Sequence, residues 1–376
     1  MKILFVFPHF VSPGGAANVV LQFARALQQR QHSVVICCGK ISKEYREQNL
    51  DLIFHELNIP TSNSFNYWLL LLYWQRKVNR ELERYKDWIL FPQVIPSNWW
   101  VWMYKRKNKQ AKVVWYCHEP SAFVHSKSWI DAIPSKAMKW GAKLLNPFLR
   151  RLDIALEKEN DIVICNSLFT KEQYETVYMR HPEAVIYPPC EVKTVAREVK
   201  KENIILTVAR LSRFKNIDVL VTTFGRLTKQ MPDTRLVIVG DGEEKQELER
   251  LARTTGMHDR ISFEGTVSEA RLEHFYKIAR VTVICSRNEP FGLVPIESMM
   301  HATPVIAHDS GGPRETVFHG RTGFLYDDEK QLLELISMVF NMGSDEYSSL
   351  QKNCIEAAAA YDISNTIVGL EKILQI

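Results

Sequence analysis

Short apolar runs alternate with longer segments of helical periodicity along almost the whole chain. Residues 3–7 form the first run, and residues 16–30 follow with apolar positions three and four apart, as at Val19, Val20 and Phe23. Short continuous runs are typical of strands buried on both faces of a parallel sheet, and the second pattern is typical of amphipathic helices. The alternation predicts an α/β fold built on parallel sheets.

The pattern begins a second time near residue 204, which indicates two domains. At 376 residues, the chain is too long for one ordinary hydrophobic core and fits two domains of usual size. The stretch 191–202 is charged and poorly patterned, as expected of a linker. We predict a first domain over residues 1–190, a second over residues 200–360, and a final helix over about 361–376.

Composition and charge narrow the class of protein. Hydrophobic residues make up 46% of the chain and charged residues 24%, as in a globular protein. The formal net charge of +5, with a pI near 8.7, is too small for a dedicated nucleic-acid binder, so no nucleic-acid partner is expected. A mildly basic balance suits an enzyme whose substrates carry phosphates.

The seven cysteines are odd in number, lack Cys-x-x-Cys spacing, and lie mostly in apolar, strand-like runs. They are expected to be buried, reduced thiols, which indicates a cytoplasmic protein without a metal site. The apolar start of the chain is brief and ends in Pro8-His9. We interpret it as the first strand of the fold and not as a signal peptide.

The clearest candidate for chemistry is the segment from Glu289 to Glu297. An apolar run over residues 281–285 leads into it, and residues 293–302 are expected to be a helix with Pro295 in the first turn, where proline is tolerated. A glycine-containing loop between a strand and a helix points backbone N–H groups and the positive end of the helix dipole at an anion. Carboxylates accept hydrogen bonds from hydroxyls, so the segment predicts a ligand with both phosphate and sugar. The alternative is two solvated surface charges.

Cations, glycines and a histidine follow other apolar runs. Arg210 and Lys215 follow the run at 204–209, the pair Gly311-Gly312 follows the run at 304–309, and His118 ends the run at 113–117. The carboxyl ends of parallel strands meet at one edge of the sheet, where such folds bind ligands. These side chains are therefore expected to line a binding site.

The loop after the first strand contains only the glycine pair Gly14-Gly15. A dinucleotide-binding domain would have G-x-G-x-x-G there and an acidic residue at the end of the second strand. Here the second strand ends in Gly39-Lys40, which argues against a nicotinamide-dependent dehydrogenase. Two adjacent glycines allow a ligand to approach the backbone closely, and the alternative is a plain tight turn.

Taken in order, these motifs resemble those of the retaining nucleotide-sugar glycosyltransferases of family four. That family has the GT-B fold, an α/β fold of two Rossmann-like domains with a ligand cleft between them. The resemblance spans nearly the whole chain. Its motifs are Gly14-Gly15, His118, Arg210 with Lys215, Gly240-Asp241-Gly242, Gly265, Glu289 with Glu297, and Gly311-Gly312.

The resemblance implies an activity and a set of partners. A hexosyl group would pass from a nucleotide sugar to a hydroxyl of a glycan or lipid-linked acceptor, as in polysaccharide or glycolipid biosynthesis, with retention at the anomeric carbon. The family needs no metal and no cofactor besides the donor. Its last helix crosses back to the first domain, so the helix at 361–376 is expected to pack there.

The resemblance also assigns roles to residues. His118 and Glu289 would contact the transferred sugar, Glu297 would accept hydrogen bonds from the ribose, and Arg210 and Lys215 would neutralise the leaving phosphates. The expected catalytic residues are His118, Arg210, Lys215 and Glu289. The expected donor-binding residues are Gly14, Gly15, Arg210, Lys215, Gly240, Thr266, Val267, Glu289, Phe291, Gly292, Leu293 and Glu297.

Donor identity is less specified. The segments 116–120 and 186–189 resemble the mannosyltransferase branch of the family, which uses GDP-mannose; UDP-glucose and UDP-N-acetylglucosamine are the alternative donors. Other functions on the same fold stay open at this point, namely a sugar-nucleotide epimerase, a phosphorylase and a non-catalytic nucleotide-sugar-binding protein. A phosphorylase would need a pyridoxal lysine, which the sequence does not identify.

One segment of the first half combines aromatic and basic residues. It runs from Trp99 to Lys112 and includes Trp100, Trp102 and Tyr104 ahead of a lysine- and arginine-rich end. Such a combination predicts a peripheral contact with the inner face of a membrane, with rings at the headgroup level and cations on anionic lipid. The alternative is that the tryptophans fill the core and the lysines decorate a helix end.

Overall fold

A computed structural model describes residues 1–11, 14–60, 70–125, 136–191, 199–227 and 231–374. The chain forms two compact units. Unit 1 comprises Met1–Pro189 together with Ile363–Ile376, and unit 2 comprises Cys190–Asp362. Most of the predicted linker, residues 192–198, lies outside the described residues.

Unit 1 contains one parallel sheet of seven strands in the order β3-β2-β1-β4-β5-β6-β7. Its strands are Lys2–Phe10 (β1), Ser33–Ile41 (β2), Phe54–Glu56 (β3), Ile89–Pro92 (β4), Lys112–Cys117 (β5), Ile162–Cys165 (β6) and Ala184–Val185 (β7). Its helices are Gly15–Gln29 (α1), Lys43–Gln48 (α2), Leu71–Glu83 (α3), Ser97–Lys107 (α4), Ala122–His125 (α5), Lys136–Glu157 (α6), Leu168–Tyr178 (α7) and the last helix of the chain, Ile363–Leu374 (α15).

Unit 2 contains a parallel sheet of six strands in the order β10-β9-β8-β11-β12-β13. Its strands are Ile204–Val208 (β8), Arg235–Val239 (β9), Ile261–Gly265 (β10), Val281–Ile284 (β11), Val305–His308 (β12) and Gly323–Tyr326 (β13). Its helices are Ile217–Leu227 (α8), Lys245–Thr254 (α9), Glu269–Ile278 (α10), Leu293–Met300 (α11), Pro313–Thr316 (α12), Glu329–Asn341 (α13) and Ser344–Ala359 (α14). Short 3₁₀ turns occupy Arg213–Lys215 and His258–Arg260.

Both sheets have the strand order of a Rossmann fold, and the α/β prediction is confirmed. In each sheet the order reverses once, between β1 and β4 in unit 1 and between β8 and β11 in unit 2. Ligands of such sheets bind outside the carboxyl ends of the strands at this reversal. The loops after β1, β4, β8 and β11 are therefore the places where a site is expected.

The first strand is longer than its apolar run. It continues through Pro8 to Phe10, although proline cannot donate a hydrogen bond to a sheet. The reason lies in the neighbouring strands: β4 pairs with β1 only from Ile3 to Val6, whereas β2 continues to pair as far as Phe10. Beyond Val6 the strand has a partner on one side, and an edge position tolerates proline.

The last helix belongs to unit 1 and is fastened to it by an ion pair. Glu371 on α15 accepts hydrogen bonds from Arg30 at 2.8 Å and from His32 at 2.8 Å. The hydrogen bonds from Arg30 and His32 lower the pKa of Glu371 to about 2, which keeps the carboxylate charged. The Lys112 ammonium donates to the carbonyl of Leu374, 3.3 Å away, near the other end of the helix.

The aromatic segment that predicts a membrane contact is part of the core of unit 1. The rings of Trp99, Trp100, Trp102 and Tyr104 are each at most 3% exposed. Helix α4 is buried on every face from Ser97 to Trp102, since β1, β4 and β5 and the helices α3 and α6 pack around it. The prediction that these rings meet lipid headgroups is therefore wrong, and their burial in the core is the correct interpretation.

The basic end of the same segment is engaged within the protein. Lys105 is buried and pairs with Asp161. Arg106 and Lys109 lie 3.9 and 2.7 Å from the carboxylate of Glu159. These contacts fasten the end of α4 to the loop before β6.

All seven cysteines are buried, as the sequence predicts, and none forms a disulfide bond. Burial raises the pKa of each of Cys38, Cys285 and Cys354 to about 12, so these thiols stay protonated and unreactive at neutral pH. Among the described helices, none is both long and apolar enough to cross a membrane.

Candidate active site

A lysine and a glutamate meet where the strand order of unit 2 reverses. Lys215 lies in the 3₁₀ turn after β8, and Glu289 lies in the loop after β11. The Lys215 ammonium is 2.8 and 2.6 Å from the two carboxylate oxygens of Glu289. Both side chains are partly buried, at 27% and 22% exposed, so solvent screens this pair less than a surface ion pair. The structure thus brings together two of the predicted catalytic residues.

The turn that carries Lys215 is anchored to the neighbouring strand. Asn216 has a left-handed backbone (φ 47°), which asparagine tolerates better than most residues. Its side-chain amide donates to the carbonyl of Cys285 at the end of β11, 3.3 Å away. This contact holds the loop after β8 against the loop after β11 and so fixes Lys215 next to Glu289.

Helix α11 directs its amino end at the same place. Gly292 occupies the N-cap position with φ 86°, a conformation that suits glycine. Glycine offers no side chain to cap the helix, so the first-turn N–H groups of Leu293 and Val294 are positioned to receive an anion. Gly292, Leu293, Lys215 and Glu289 line one small cavity. The arrangement combines a cation, a helix dipole and a carboxylate in one cavity.

The second glycine-rich turn supports the loop of Glu289. A Cβ atom on Gly311 would lie 2.5 Å from the carbonyl oxygen of Glu289, and one on Gly312 would lie 2.4 Å from the Cα of Phe291. The Gly312 N–H donates to the Glu289 carbonyl at 2.7 Å. Gly311-Gly312 is therefore explained by the close approach of two backbones, and it holds the Glu289 loop in place.

Glu297 faces a tyrosine of the preceding helix. It lies on the second turn of α11 and accepts a hydrogen bond of 2.8 Å from the hydroxyl of Tyr276 on α10. Burial raises the pKa of Glu297, because its charged form is poorly solvated. Tyr276 also stacks on His301, with ring centroids 5.6 Å apart. A carboxylate in these surroundings gains from further hydroxyl donors, such as those of a ribose.

The remaining donor-binding predictions in unit 2 fall on two loops. Gly240 ends β9 with φ 128°, and a Cβ there would lie 1.9 Å from the carbonyl oxygen of Ala209, so the position requires glycine. Its N–H donates to Gly265 at the end of β10. Thr266 and Val267 follow in the loop before α10, where Val267 packs against the same cluster as Val294 of α11.

Two predicted site residues are placed differently from Lys215. The guanidinium of Arg210 is 74% exposed and lies 3.2 Å from the carboxylate of Glu243. An exposed pair of this kind is weak, so Arg210 can exchange this partner for a ligand at little cost. The ring of Phe291 is buried, with its centroid 5.9 Å from that of Tyr361, so its predicted role rests on its backbone.

In unit 1, His118 pairs with a glutamine that the sequence did not single out. Gln93 follows β4, His118 follows β5, and the imidazole Nε2 lies 2.7 Å from Gln93 Oε1. With Gln93 Oε1 as the acceptor, the ring proton is on Nε2 and the Nδ1 lone pair is left for another partner. The amide nitrogen of Gln93 is buried and has no hydrogen-bond partner among the described residues. Gln93 therefore orients His118 at the reversal point of the unit 1 sheet.

Burial lowers the pKa of His118 to about 4, so the ring is neutral at physiological pH. In the unfolded chain the same ring takes up a proton near pH 6.5. Between pH 6.5 and 4 the unfolded state therefore binds more protons than the folded state. The contribution of the neutral His118 ring to stability is complete above pH 6.5 and is lost as the pH falls toward 4. Between pH 7 and pH 5 we expect the unfolding free energy of His118→Gln to fall by about 2 kcal/mol less than that of the wild type.

Urea unfolding at the two pH values measures this difference. His181→Gln, which changes a ring whose side chain is 90% exposed, is the matched control and should follow the wild-type curve. Parallel curves for His118→Gln and the wild type would show that His118 takes up its proton as readily in the folded protein as in the unfolded chain, and would contradict the lowered pKa.

The Gly14-Gly15 pair lies at the start of α1, after β1. Gly14 is the N-cap in an extended conformation (φ −168°) that any residue adopts, and Gly15 is the first helical residue. A Cβ on Gly14 would meet no atom of the described residues within 4 Å. Packing within the described part of unit 1 therefore does not explain a glycine at position 14.

A larger cavity, of about 460 Å³, opens at the amino ends of β8, β9 and β10. It is not where parallel sheets bind ligands, and its charged groups already have partners. Arg235 pairs with Glu202, and Arg260 donates to the carbonyls of Met231 and Pro232. The smaller cavity beside Lys215 and Glu289 is the better candidate site on chemical grounds.

Two family descriptions match the chain, one for each half. Residues 13–193 match "Glycosyltransferase Family 4", and residues 191–361 match "Glycosyl transferases group 1".

Among curated proteins, the chain is 22% identical to an alpha-1,3/1,6-mannosyltransferase of Yarrowia lipolytica over 71% of its own length and 66% of that protein. It is also 22% identical to a mouse protein, "GDP-Man:Man(3)GlcNAc(2)-PP-Dol alpha-1,2-mannosyltransferase", over 93% of the chain and 82% of that protein. The Yarrowia protein is thus matched over slightly less than two thirds of its length.

Solved structures show the same fold. The sucrose-phosphate synthase of Thermosynechococcus elongatus superposes with a TM-score of 0.80 at 22% identity, over 100% of this chain and 98% of that one. Anabaena Alr3699/HepE, solved in complex with UDP-glucose, superposes with a TM-score of 0.79 at 19% identity, over 100% and 99%. Both share the two parallel sheets described above.

Proposed function

Because the chain belongs to the GT-B glycosyltransferases of family four and resembles their mannosyltransferase branch, we propose that it transfers a hexosyl group from a nucleotide sugar to a hydroxyl. The observation that carries this is the Lys215–Glu289 pair at the amino end of α11. A cation beside free helix N–H groups suits a diphosphate, and a carboxylate in the same cavity suits sugar hydroxyls.

The difficult event in such a reaction is loss of the diphosphate while positive charge builds on the sugar ring. Lys215, the N–H groups of Leu293 and Val294, and Arg210 after rearrangement would stabilise the negative charge that develops on the leaving phosphates. These groups supply positive charge without a metal ion, so we propose that the reaction is metal-independent. Glu289 would accept hydrogen bonds from the transferred sugar and Glu297 from the ribose.

We propose that the anomeric configuration is retained through attack on the same face from which the diphosphate leaves. The leaving phosphate would take the proton of the acceptor hydroxyl, so that the new glycosidic bond forms as the old one breaks. His118 is neutral and would contact the transferred sugar through Nδ1, with Gln93 holding Nε2. Because Gly14 has no side chain, the donor would be able to approach the backbone closely at this position, which gives a reason for the glycine.

GDP-mannose is the donor we favour, because both mannosyltransferases named above are similar to this chain over most of its length. UDP-glucose and UDP-N-acetylglucosamine are the second candidates, since HepE binds UDP-glucose on the same fold. We propose a glycan or lipid-linked glycan as acceptor, and a cytoplasmic site of action.

Two measurements test this function. A thermal shift with GDP, UDP and ADP identifies the base, because a nucleotide at a hundred times its dissociation constant stabilises the folded state by about 2.7 kcal/mol. Incubation with a panel of nucleotide sugars, followed by assay of released nucleoside diphosphate, then identifies the sugar. A GDP-specific shift and release from GDP-mannose support the proposal. Conversion of the donor into an epimer, or nucleotide binding without turnover of any donor, would support the epimerase or the binding protein instead.

A further inference from the structure

Helix α6 exposes a row of large apolar side chains on the surface of unit 1. Trp140, Leu144 and Phe148 are 70%, 66% and 65% exposed, and Leu145 beside them is 57% exposed. Positions four apart on a helix are neighbours, so the first three form one continuous row. Isolated exposed apolar residues are ordinary on a protein surface, but a contiguous patch marks an interaction site.

The charges next to this row have one sign. Residues 136–151 contain five lysines and arginines and no aspartate or glutamate. Lys143, Arg150 and Arg151 are exposed. Arg151 follows Leu144 by seven positions and Phe148 by three, so it lies along the apolar row, and Lys143 and Arg150 border it.

The two acidic residues of the helix point inward. Asp153 is 0% exposed and accepts hydrogen bonds from Trp99 at 2.7 Å and from Tyr178 at 2.7 Å. Glu157 is 1% exposed and accepts one of 3.1 Å from Arg180. The buried acids fasten α6 to the core of unit 1, and the exposed side chains of the described residues 140–151 on this helix are apolar or basic.

We infer that this face of α6 docks on an anionic lipid surface. Large apolar side chains that insert among acyl chains, bordered by cations that meet headgroups, are what an interfacial helix requires. A second copy of the chain is the other candidate occupant. A twofold contact would bring two identical basic rows together, and like charges at an interface disfavour association. Anionic lipid complements both the apolar row and the charge.

This surface goes beyond the proposed transfer reaction and does not depend on it. Docking would bring the protein to a membrane in which a lipid-linked acceptor resides. The surface differs from the segment 99–112, whose rings are buried. Because binding to vesicles can be measured without donor or acceptor, failure of the docking and failure of the transfer reaction are distinguishable.

The test is co-sedimentation of the whole protein with vesicles. We expect about tenfold more binding to phosphatidylcholine vesicles that contain about one third phosphatidylglycerol than to phosphatidylcholine alone. The excess should shrink as salt is raised from about 0.05 to about 0.5 M, because the Debye length falls below 10 Å. Trp140→Gln with Phe148→Gln should lower binding to anionic vesicles by at least about tenfold, and Arg150→Gln with Arg151→Gln should lower it severalfold at low salt only.

Matched variants elsewhere control for the loss of apolar and basic groups. Met338→Gln with Ile355→Gln removes apolar side chains that are 39% and 41% exposed in unit 2. Lys43→Gln with Lys330→Gln removes two lysines that are 88% and 84% exposed. Both pairs should bind vesicles like the wild type, and thermal unfolding should be unchanged in every variant.

Two outcomes would overturn the inference. One is equal sedimentation with neutral and anionic vesicles, or none with either. The other is a concentration-dependent dimer in analytical ultracentrifugation that Trp140→Gln with Phe148→Gln abolishes, since the apolar row would then be an interface between copies of the chain.

Discussion

Replacing Lys215 with alanine is expected to lower kcat/KM with the preferred donor by on the order of a hundredfold, the effect of removing one electrostatic donor from a developing oxyanion. Lys215 is the one cation among the described residues that line the site cavity at the amino end of α11. Its loss removes one of the positive groups that would stabilise the developing phosphate charge. Steady-state assay of released nucleoside diphosphate measures the change.

A second variant separates charge from structure. Lys215→Ala also leaves the partly buried carboxylate of Glu289 without its ion-pair partner, so some loss of stability is expected. Lys215→Arg keeps the positive charge and should retain more activity than Lys215→Ala. Lys330→Ala removes a lysine that is 84% exposed and paired with Glu334, and it should leave the rate unchanged.

Arg210→Ala is expected to lower turnover by the same order without unfolding the protein, since the guanidinium is exposed and only weakly paired. Near-normal rates for both Arg210→Ala and Lys215→Ala would show that the assignment of the phosphate site is wrong. A loss with Lys215→Ala alone would leave Arg210 as a surface residue paired with Glu243.

Prediction from the sequence was most successful where the residues of the site lie close to one another along the chain. Glu289, Gly292 and the start of α11 lie within a few residues of one another, and strand–loop–helix chemistry predicts their arrangement. The parallel sheet then brings the end of β8, with Lys215, next to the end of β11. Hydrophobic periodicity predicts the strands, and the side on which parallel strands end follows from the fold class.

The partners that the sequence missed lie far apart in the chain and carry no local signal. Tyr276 reaches Glu297 from another helix, and Gln93 reaches His118 from another strand end. Each contact depends on tertiary packing, which no spacing along the chain encodes. Gln93 could have been noticed, since it is a polar residue directly after the apolar run of β4, at the reversal point of the sheet.

The aromatic segment 99–112 shows where composition alone cannot predict the surroundings of a helix. A row of tryptophans beside lysines is compatible with both a core helix and an interfacial one, because composition does not say how many faces of the helix are covered. Helix α4 is covered on all faces at its aromatic end, and α6 is covered on one. The surface suited to lipid is therefore on α6, which keeps large apolar side chains exposed while its two acidic side chains are buried.

The two glutamates of the site should differ in what they affect. Glu297→Gln is expected to raise the dissociation constant of the free nucleoside diphosphate by about tenfold, since it weakens hydrogen bonds between ribose hydroxyls and a charged acceptor. Tyr276→Phe removes the hydroxyl that orients Glu297 and should shift the same constant in the same direction, by less. Isothermal titration calorimetry with the preferred nucleoside diphosphate measures both.

Glu289→Gln is expected to lower kcat by more than it changes that dissociation constant, because its carboxylate would face the transferred sugar, which the free nucleotide lacks. Since Glu289 also holds Lys215 at 2.6 Å, the two residues should act as one unit. The double variant Lys215→Ala with Glu289→Gln should therefore lose less than the product of the two single losses. Equal effects of Glu289→Gln and Glu297→Gln on nucleotide affinity would contradict the division of roles, and strictly additive losses would show that the ion pair is not part of the catalytic arrangement.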